Sequence, residues 1–206
     1  MKPSLKRRAL LAVVLLGAIA GNADAQKFSS GHWKSKTVVE GGPQGEVTAE
    51  GEVWLKNEKM RMNSQMSGMN SNMILAGDVI YQWMEGQPTG MKMPNTAQSK
   101  ASSDYVNMDF KTKGKKIGTE TVDGFVCDIY VLETGEGRQK AKYTAWLARA
   151  KSEFPVKLIM ESGKSKSTTT NRDIEIPASV PDSMMTPPAK VRFQDMSEMM
   201  KNMPRQ

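Results

Sequence analysis

A chain of 206 residues with a single cysteine and a single histidine excludes several functions before any element is placed. One cysteine forbids an intramolecular disulfide, and one histidine forbids multi-histidine zinc sites and leaves a Cys–His nucleophile pair no spare base. The formal net charge of +7 points toward acidic partners such as nucleic acid, but much of it belongs to the first residues.

Those first 25 residues read as a cleaved secretory signal. Lys2, Lys6, Arg7 and Arg8 precede the apolar run Ala9–Ala20, and Ala23-Asp24-Ala25 supplies a small-residue cleavage pattern before Gln26. The run is too short to span roughly 30 Å of hydrocarbon, and no cysteine at the cleavage point offers a lipid attachment. The expected product is a periplasmic or secreted chain of residues 26–206, one domain in extent. It keeps 25 basic and 21 acidic groups, a balance of +4, which argues against a nucleic-acid partner. The densest basic cluster, Lys111–Lys116, reads as a solvated turn.

Period-two alternation begins at Gly31. Trp33, Ser35, Thr37 and Val39 alternate with polar residues until Gly41-Gly42-Pro43. Val47, Ala49, Gly51, Val53 and Leu55 then line one face of the next strand. After Lys56-Asn57-Glu58-Lys59 the chain returns with Met60, Met62, Ser64 and Met66 on one side and Arg61, Asn63 and Gln65 on the other. Gly77-Asp78 and Asp123-Gly124 are two-residue hairpin signals. Further strands are expected at Lys142–Ala148, Pro155–Glu161, Ser167–Ile176 and Ala189–Phe193. Residues 86–112, rich in Pro, Gly, Ser and Lys, break the rhythm and read as a loop or lid, with a short helix over Thr96–Met108. Met196, Met199, Met200 and Met203 fall on one helical face, so Asp195–Met203 reads as a short amphipathic tail helix. In Phe125–Val131, Phe125, Cys127, Ile129 and Val131 share a face, and Cys127 reads as a small buried hydrophobe.

The chemistry these residues support is sparse, and the chain reads as no enzyme. Gly163-Lys164-Ser165 imitates the end of a phosphate loop, but Leu158 stands where the first glycine is required. No cofactor motif is present, and Glu133 and Glu136 are loop charges without diagnostic spacing. The methionines remain to be explained: the chain holds 17, four of them within Lys59–Met69. Thioethers at M-x-M and M-x-x-M spacing suit Cu(I), so a periplasmic copper-binding protein is one reading. A deformable apolar face lined by Met60, Met62 and Met66 is the other, because unbranched polarizable side chains repack readily.

The ordered segments "VWLKNEKMRM", "ILAGDVIYQW", "KKIGTETVDGFVCDIYVLE", "YTAWLARAKSEFPVKLIME" and "IEIPASVPDSMMTPPAKVRF" resemble the LolA/LolB-like superfamily of periplasmic lipoprotein-localisation factors. They are closer still to its Met-rich relatives classed as domains of unknown function. The resemblance spans most of Gly31–Met203, and its most specific pieces are Gly118–Tyr130, Trp146 with Phe154–Lys157, and Val180–Ser183. It implies a mainly β fold: a strongly curved antiparallel sheet forming an unclosed half-barrel, with one or two short helices or loops as lid and the short C-terminal helix. It also implies a soluble exported protein that holds a lipid, an acyl chain or another hydrophobic ligand. Envelope lipoproteins and peripheral membrane contact are further partners of that class. The candidate ligand-binding residues are Met60, Arg61, Met62, Met66 and Trp83 in the first half of the chain. Phe125, Ile129, Trp146, Leu158 and Met160 are those in the second. No metal site and no catalytic residue is assigned.

Overall fold

The computed structural model describes residues 28–42, 45–66, 68–95, 108–135 and 140–197. The expected signal peptide and residues 96–107 of the expected lid helix lie outside them, as do residues 198–203 of the tail helix. The first half of the chain is a meander: β1 (Ser30–Gly42), β2 (Gly45–Lys56), β3 (Lys59–Met66), β4 (Met69–Ala76), β5 (Val79–Met84) and β6 (Thr89–Pro94). A single helical turn, α1 (Phe110–Lys113), leads into β7 (Lys115–Val122), β8 (Phe125–Thr134), β9 (Ala141–Ala148), β10 (Phe154–Ser162) and β11 (Ser165–Glu175). The 3-10 turns Arg149–Lys151 and Asp182–Met185 follow β9 and β11, and β12 (Arg192–Asp195) ends the series.

All twelve strands join one sheet in the order β12-β6-β5-β4-β3-β2-β1-β11-β10-β9-β8-β7. Neighbours are antiparallel except β12, which runs parallel to β6 with Arg192 opposite Thr89 and Asp195 opposite Lys92. The sheet is therefore antiparallel as expected except at this last, parallel pair, which makes it mixed. The edges β12 and β7 do not pair with each other, so the sheet stays open. Its curvature follows from burial. Trp33, Met60, Phe154 and Val156 are each at most 1% exposed, yet among the described residues the only α-helix longer than one residue is the four-residue α1. Among the described residues no helical layer covers that face, and the sheet curves so that side chains two strands apart meet. Ring contacts within that fold bring Phe154 to 4.9 Å from Trp33 and 5.7 Å from Phe28.

Local sequence explains most of the hairpins. At Asp123-Gly124 both residues adopt left-handed φ values of 47° and 80°, the type I′ geometry whose twist matches flanking strands. β6 was not expected. Residues 89–94 hold Gly90 and Pro94 and no β-branched residue but Thr89, so propensity hides a strand that forms because β5 offers it an edge, Ile80 opposite Met93. The Lys111–Lys116 cluster is likewise not a plain turn: it comprises most of α1 and the first residues of β7. The last strand begins three residues later than expected and includes Asp195. Asp195 then accepts a hydrogen bond from the Ser197 amide at 2.9 Å.

Three apolar clusters result. The main one runs from Ile80 through Met60, Met62, Leu55 and Trp33 to Phe154, Trp146 and Cys127. A second packs Phe110 of α1 on Tyr130, Leu132, Ala145, Leu147 and Leu158. A third, Ile74, Trp83 and Val191 with Tyr81 and Phe193 against them, lies under the segment that returns before β12. Cys127 is fully buried, as its alternation required. Among the described residues no helix is long and apolar enough to cross a membrane.

Candidate ligand-binding site

The alternation that builds β2–β5 sorts the candidate residues onto two faces. Met60 stands opposite Leu55 and Leu75, and Met62 opposite Val53 and Met73, all on the interior face. They are 1% and 5% exposed. Met73 and Met93 pack at the margin of the same cluster. Met66 ends β3 opposite Met69, and its side chain is outside what the structure describes.

Arg61 and Trp83 lie on the other face. The Arg61 guanidinium sits 5.6 Å from the Trp83 ring, its Nε donates to Asn63 Oδ1 at 3.0 Å and its Nη1 to the Met184 carbonyl at 3.4 Å. Burial pulls its pKa down from the ordinary value. Phe193 meets Trp83 edge-on at 5.9 Å. The pair anchors the returning C-terminal segment and does not join the methionines.

The remaining candidates separate in the same way. Ile129 is the cross-strand partner of Trp146, and the Trp146 indole N–H donates to Glu120 Oε2 at 2.6 Å, with Lys157 Nζ 4.5 Å from the ring. Phe125 packs at the edge of the main cluster, with Lys151 Nζ 5.8 Å from its ring. Leu158 belongs instead to the cluster under Phe110, and Met160 stands opposite Tyr143 beside it. The structure thus gathers Met60 and Met62 into one interior cluster with Trp146, Phe125 and Ile129. It leaves Arg61 with Trp83, and Leu158 with Met160, at other places on the sheet.

Polar atoms inside the apolar face escaped the sequence reading. Thr37 and Thr169 share a hydrogen bond of 3.0 Å between their hydroxyls. Next to them Ser35 stands opposite Asn171. Asn171 is fully buried and donates Nδ2 to the Pro155 carbonyl at 2.8 Å. The Asn171 Oδ1, the Ser35 Oγ and the Trp33 indole Nε1 are buried without a hydrogen-bond partner. Buried polar atoms are nearly always paired, so three orphans on one face call for an explanation. The alternation of Trp33 and Ser35 was visible; the pairing with Asn171, 136 residues away by number, was not.

Metal chemistry finds little here. Among the described residues no group of three or more His, Cys, Asp or Glu side chains could hold an ion. His32 is stacked on Trp54, 5.2 Å and 17° between rings, and burial pushes the Cys127 thiol up from its ordinary pKa. Among the described residues the copper reading of the methionines finds no support: Met60 stands between Leu55 and Leu75.

Comparison with known proteins places this geometry. The family model described as a domain of unknown function, DUF4412, matches residues 41–170. No curated protein matches the chain. Among solved structures, an uncharacterized conserved protein from Thermus thermophilus is similar at a TM-score of 0.55 and 8% identity, over 82% of this chain and 92% of that one. The Mycobacterium tuberculosis lipoprotein LppX is similar at 0.47 and 15% identity, covering 73% and 89% of the two chains. A LolA superfamily protein from Nitrosomonas europaea is similar at 0.44 and 16% identity, covering 77% and 90%.

Proposed function

The chain belongs to the DUF4412 family, whose name leaves the activity open, and we propose that it is a binding protein, not an enzyme, for a hydrophobic ligand such as a lipid acyl chain. The ligand lies against the interior face of the sheet, among Met60, Met62, Met73 and Met93. The observation that carries this reading is an apolar cluster reaching from β5 to β8 inside a sheet whose edges are not bonded to each other. Such a sheet widens without breaking a strand pair, so admission of a ligand costs side-chain repacking, which methionine tolerates best. The orphan Trp33 Nε1, Ser35 Oγ and Asn171 Oδ1 supply hydrogen-bonding positions for the polar end of an amphiphile. Export by the signal of residues 1–25, one domain over 26–206, and a Met-faced tail helix over residues 195–203 acting as a plug belong to the same proposal. Handling of envelope lipids or lipoproteins is its physiological form.

The test is titration of the purified protein with a dansyl-labelled fatty acid. Saturable fluorescence that unlabelled palmitate displaces is expected, and it should weaken in Met73→Asp and Met93→Asp variants that melt as cooperatively as the parent. No saturable signal, or one indifferent to both substitutions, would sink the proposal.

A further inference from the structure

On the face opposite the methionines, β11, β1, β2, β3 and β4 floor an open cavity of about 820 Å³. It lies within the roughly 300–1,000 Å³ range of small-molecule sites. Its side chains form two rows that run across the strands. Arg172, Lys34, Glu52, Asn63 and Asn72 are successive cross-strand partners, and so are Thr170, Lys36, Glu50, Gln65 and Asn70. All ten line the cavity.

The charges in these rows largely neutralise one another. Lys34 pairs with Asp173 at 2.8 Å and Lys36 with Glu50 at 2.9 Å, while Glu85 accepts from Asn70 Nδ2 at 2.7 Å. Three cations face four carboxylates in the lining, so neither a polyanion nor a polycation finds a complementary field. What is left unspent is amide chemistry. Gln65 and Asn72 make no side-chain hydrogen bond among the described residues, and Asn63 uses only its Oδ1, to Arg61. Each free amide offers a donor pair and an acceptor side by side, the arrangement that vicinal hydroxyls match.

From this we infer that the cavity binds an uncharged, extended oligosaccharide lying across the strands. Rows of hydrogen-bonding side chains repeat every ~4.8 Å along that direction, the spacing of neighbouring strands, which is close to the rise of an extended β-linked sugar chain. Trp54, two residues from Glu52 on the same face of β2 and partly exposed, lies beyond the Arg172–Asn72 row with His32 stacked on one side of its ring. The two rows share no residue with the apolar face, although Ser35 and Ser64 also line the cavity, and the inference stands or falls separately from the ligand proposed there.

The test follows the side-chain amide signals of Asn63, Gln65 and Asn72 in ¹⁵N-labelled protein during titration with cellotetraose and with tetra-N-acetylchitotetraose. At least one should shift all three signals in a saturable manner at millimolar concentration or below. The double substitution Asn63→Ala/Asn72→Ala should weaken binding roughly tenfold, the loss of one or two neutral hydrogen bonds, with the melting transition retained. If that variant fails to melt cooperatively, Gln65→Ala, at an exposed position, serves instead, with an expected weakening of roughly fivefold. Absence of shifts with both sugars would overturn the inference. So would shifts that survive the substitutions, or stronger movement of the same signals by inositol hexaphosphate, which would mark an anion site.

Discussion

At Asp128 four donors converge on one carboxylate oxygen. Arg149 Nη2 donates to Oδ1 at 2.6 Å and its Nε at 3.1 Å, Lys116 Nζ lies 2.9 Å away, and Thr119 Oγ1 donates at 3.1 Å. The Arg149 bond, then that of Lys116, holds the carboxyl well below its ordinary value of 3.8. A depressed carboxylate stabilises the fold above its unfolded-state pKa and loses that contribution as pH falls through the folded one. Asp128→Asn should therefore lower the melting temperature at pH 7 by about 2–4 °C, the size expected of a partly exposed ion pair in a chain of this length. The gap between the two proteins should close progressively below about pH 4, as calorimetry across pH would reveal. A gap independent of pH would mean that shape, not charge, matters there. Cys127 offers a second check. Its thiol is fully buried, raised by desolvation, and placed 3.3 Å from the Phe125 carbonyl as a weak donor. Ellman's reagent should leave the native protein untouched and titrate one thiol in denaturant; fast native labelling would contradict the packing described. The burial of Cys127 could be read from the alternation of its neighbours. The partners of Asp128 could not, because Arg149 and Lys116 meet it through strand pairing.

At the scale of elements, the meander from β1 to β5 was legible, because alternation and two-residue turns are local signals. The strand β6 and the pairing of β12, a strand expected over Ala189–Phe193, were not, and they depend on each other. β6 carries no propensity of its own, and β12 pairs with it in parallel, a contact that no local pattern announces. What seats β12 is Gly90: a Cβ there would fall 2.7 Å from the Gln82 carbonyl oxygen and 2.8 Å from the Phe193 ring. Without that space Phe193 could not approach Tyr81 and Trp83 at 5.2 and 5.9 Å. Gly90→Val should cost roughly 1–3 kcal/mol, as overpacking does. In hydrogen exchange it should free the Arg192 and Met196 amides, now bonded to the Pro88 and Lys92 carbonyls at 2.9 Å each, ahead of those of β5. Unchanged protection at both amides would show that β12 does not depend on this fit. The site divides the same way. That Met60 and Met62 share a face was readable from parity, and so was the opposite orientation of Arg61 between them. That Leu158 falls in a different cluster from Trp146 was hidden by a bulge between Pro155 and Lys157, which shifts the parity of β10 relative to β9.

Among the described residues the molecule is one open sheet with two chemically different faces. Inside, thioethers and aromatic rings surround three polar atoms without partners; outside, neutralised charges and free amides run across five strands. The order of strands, with β1 beside β11 and the hydroxyls of Thr37 and Thr169 bonded across 132 residues, joins the two halves of the chain into one continuous face. No pattern along the sequence encodes that closure, since it is a property of non-local pairing. The central claim concerns the inner face: that it takes up an apolar guest. Its most direct measurement is organic-solvent extraction with mass spectrometry on the protein purified from its native envelope, beside elemental analysis of the same sample. A lipid at near-stoichiometric amount, with no bound copper, is the predicted result. A protein free of lipid, or one carrying stoichiometric copper in its place, would contradict it.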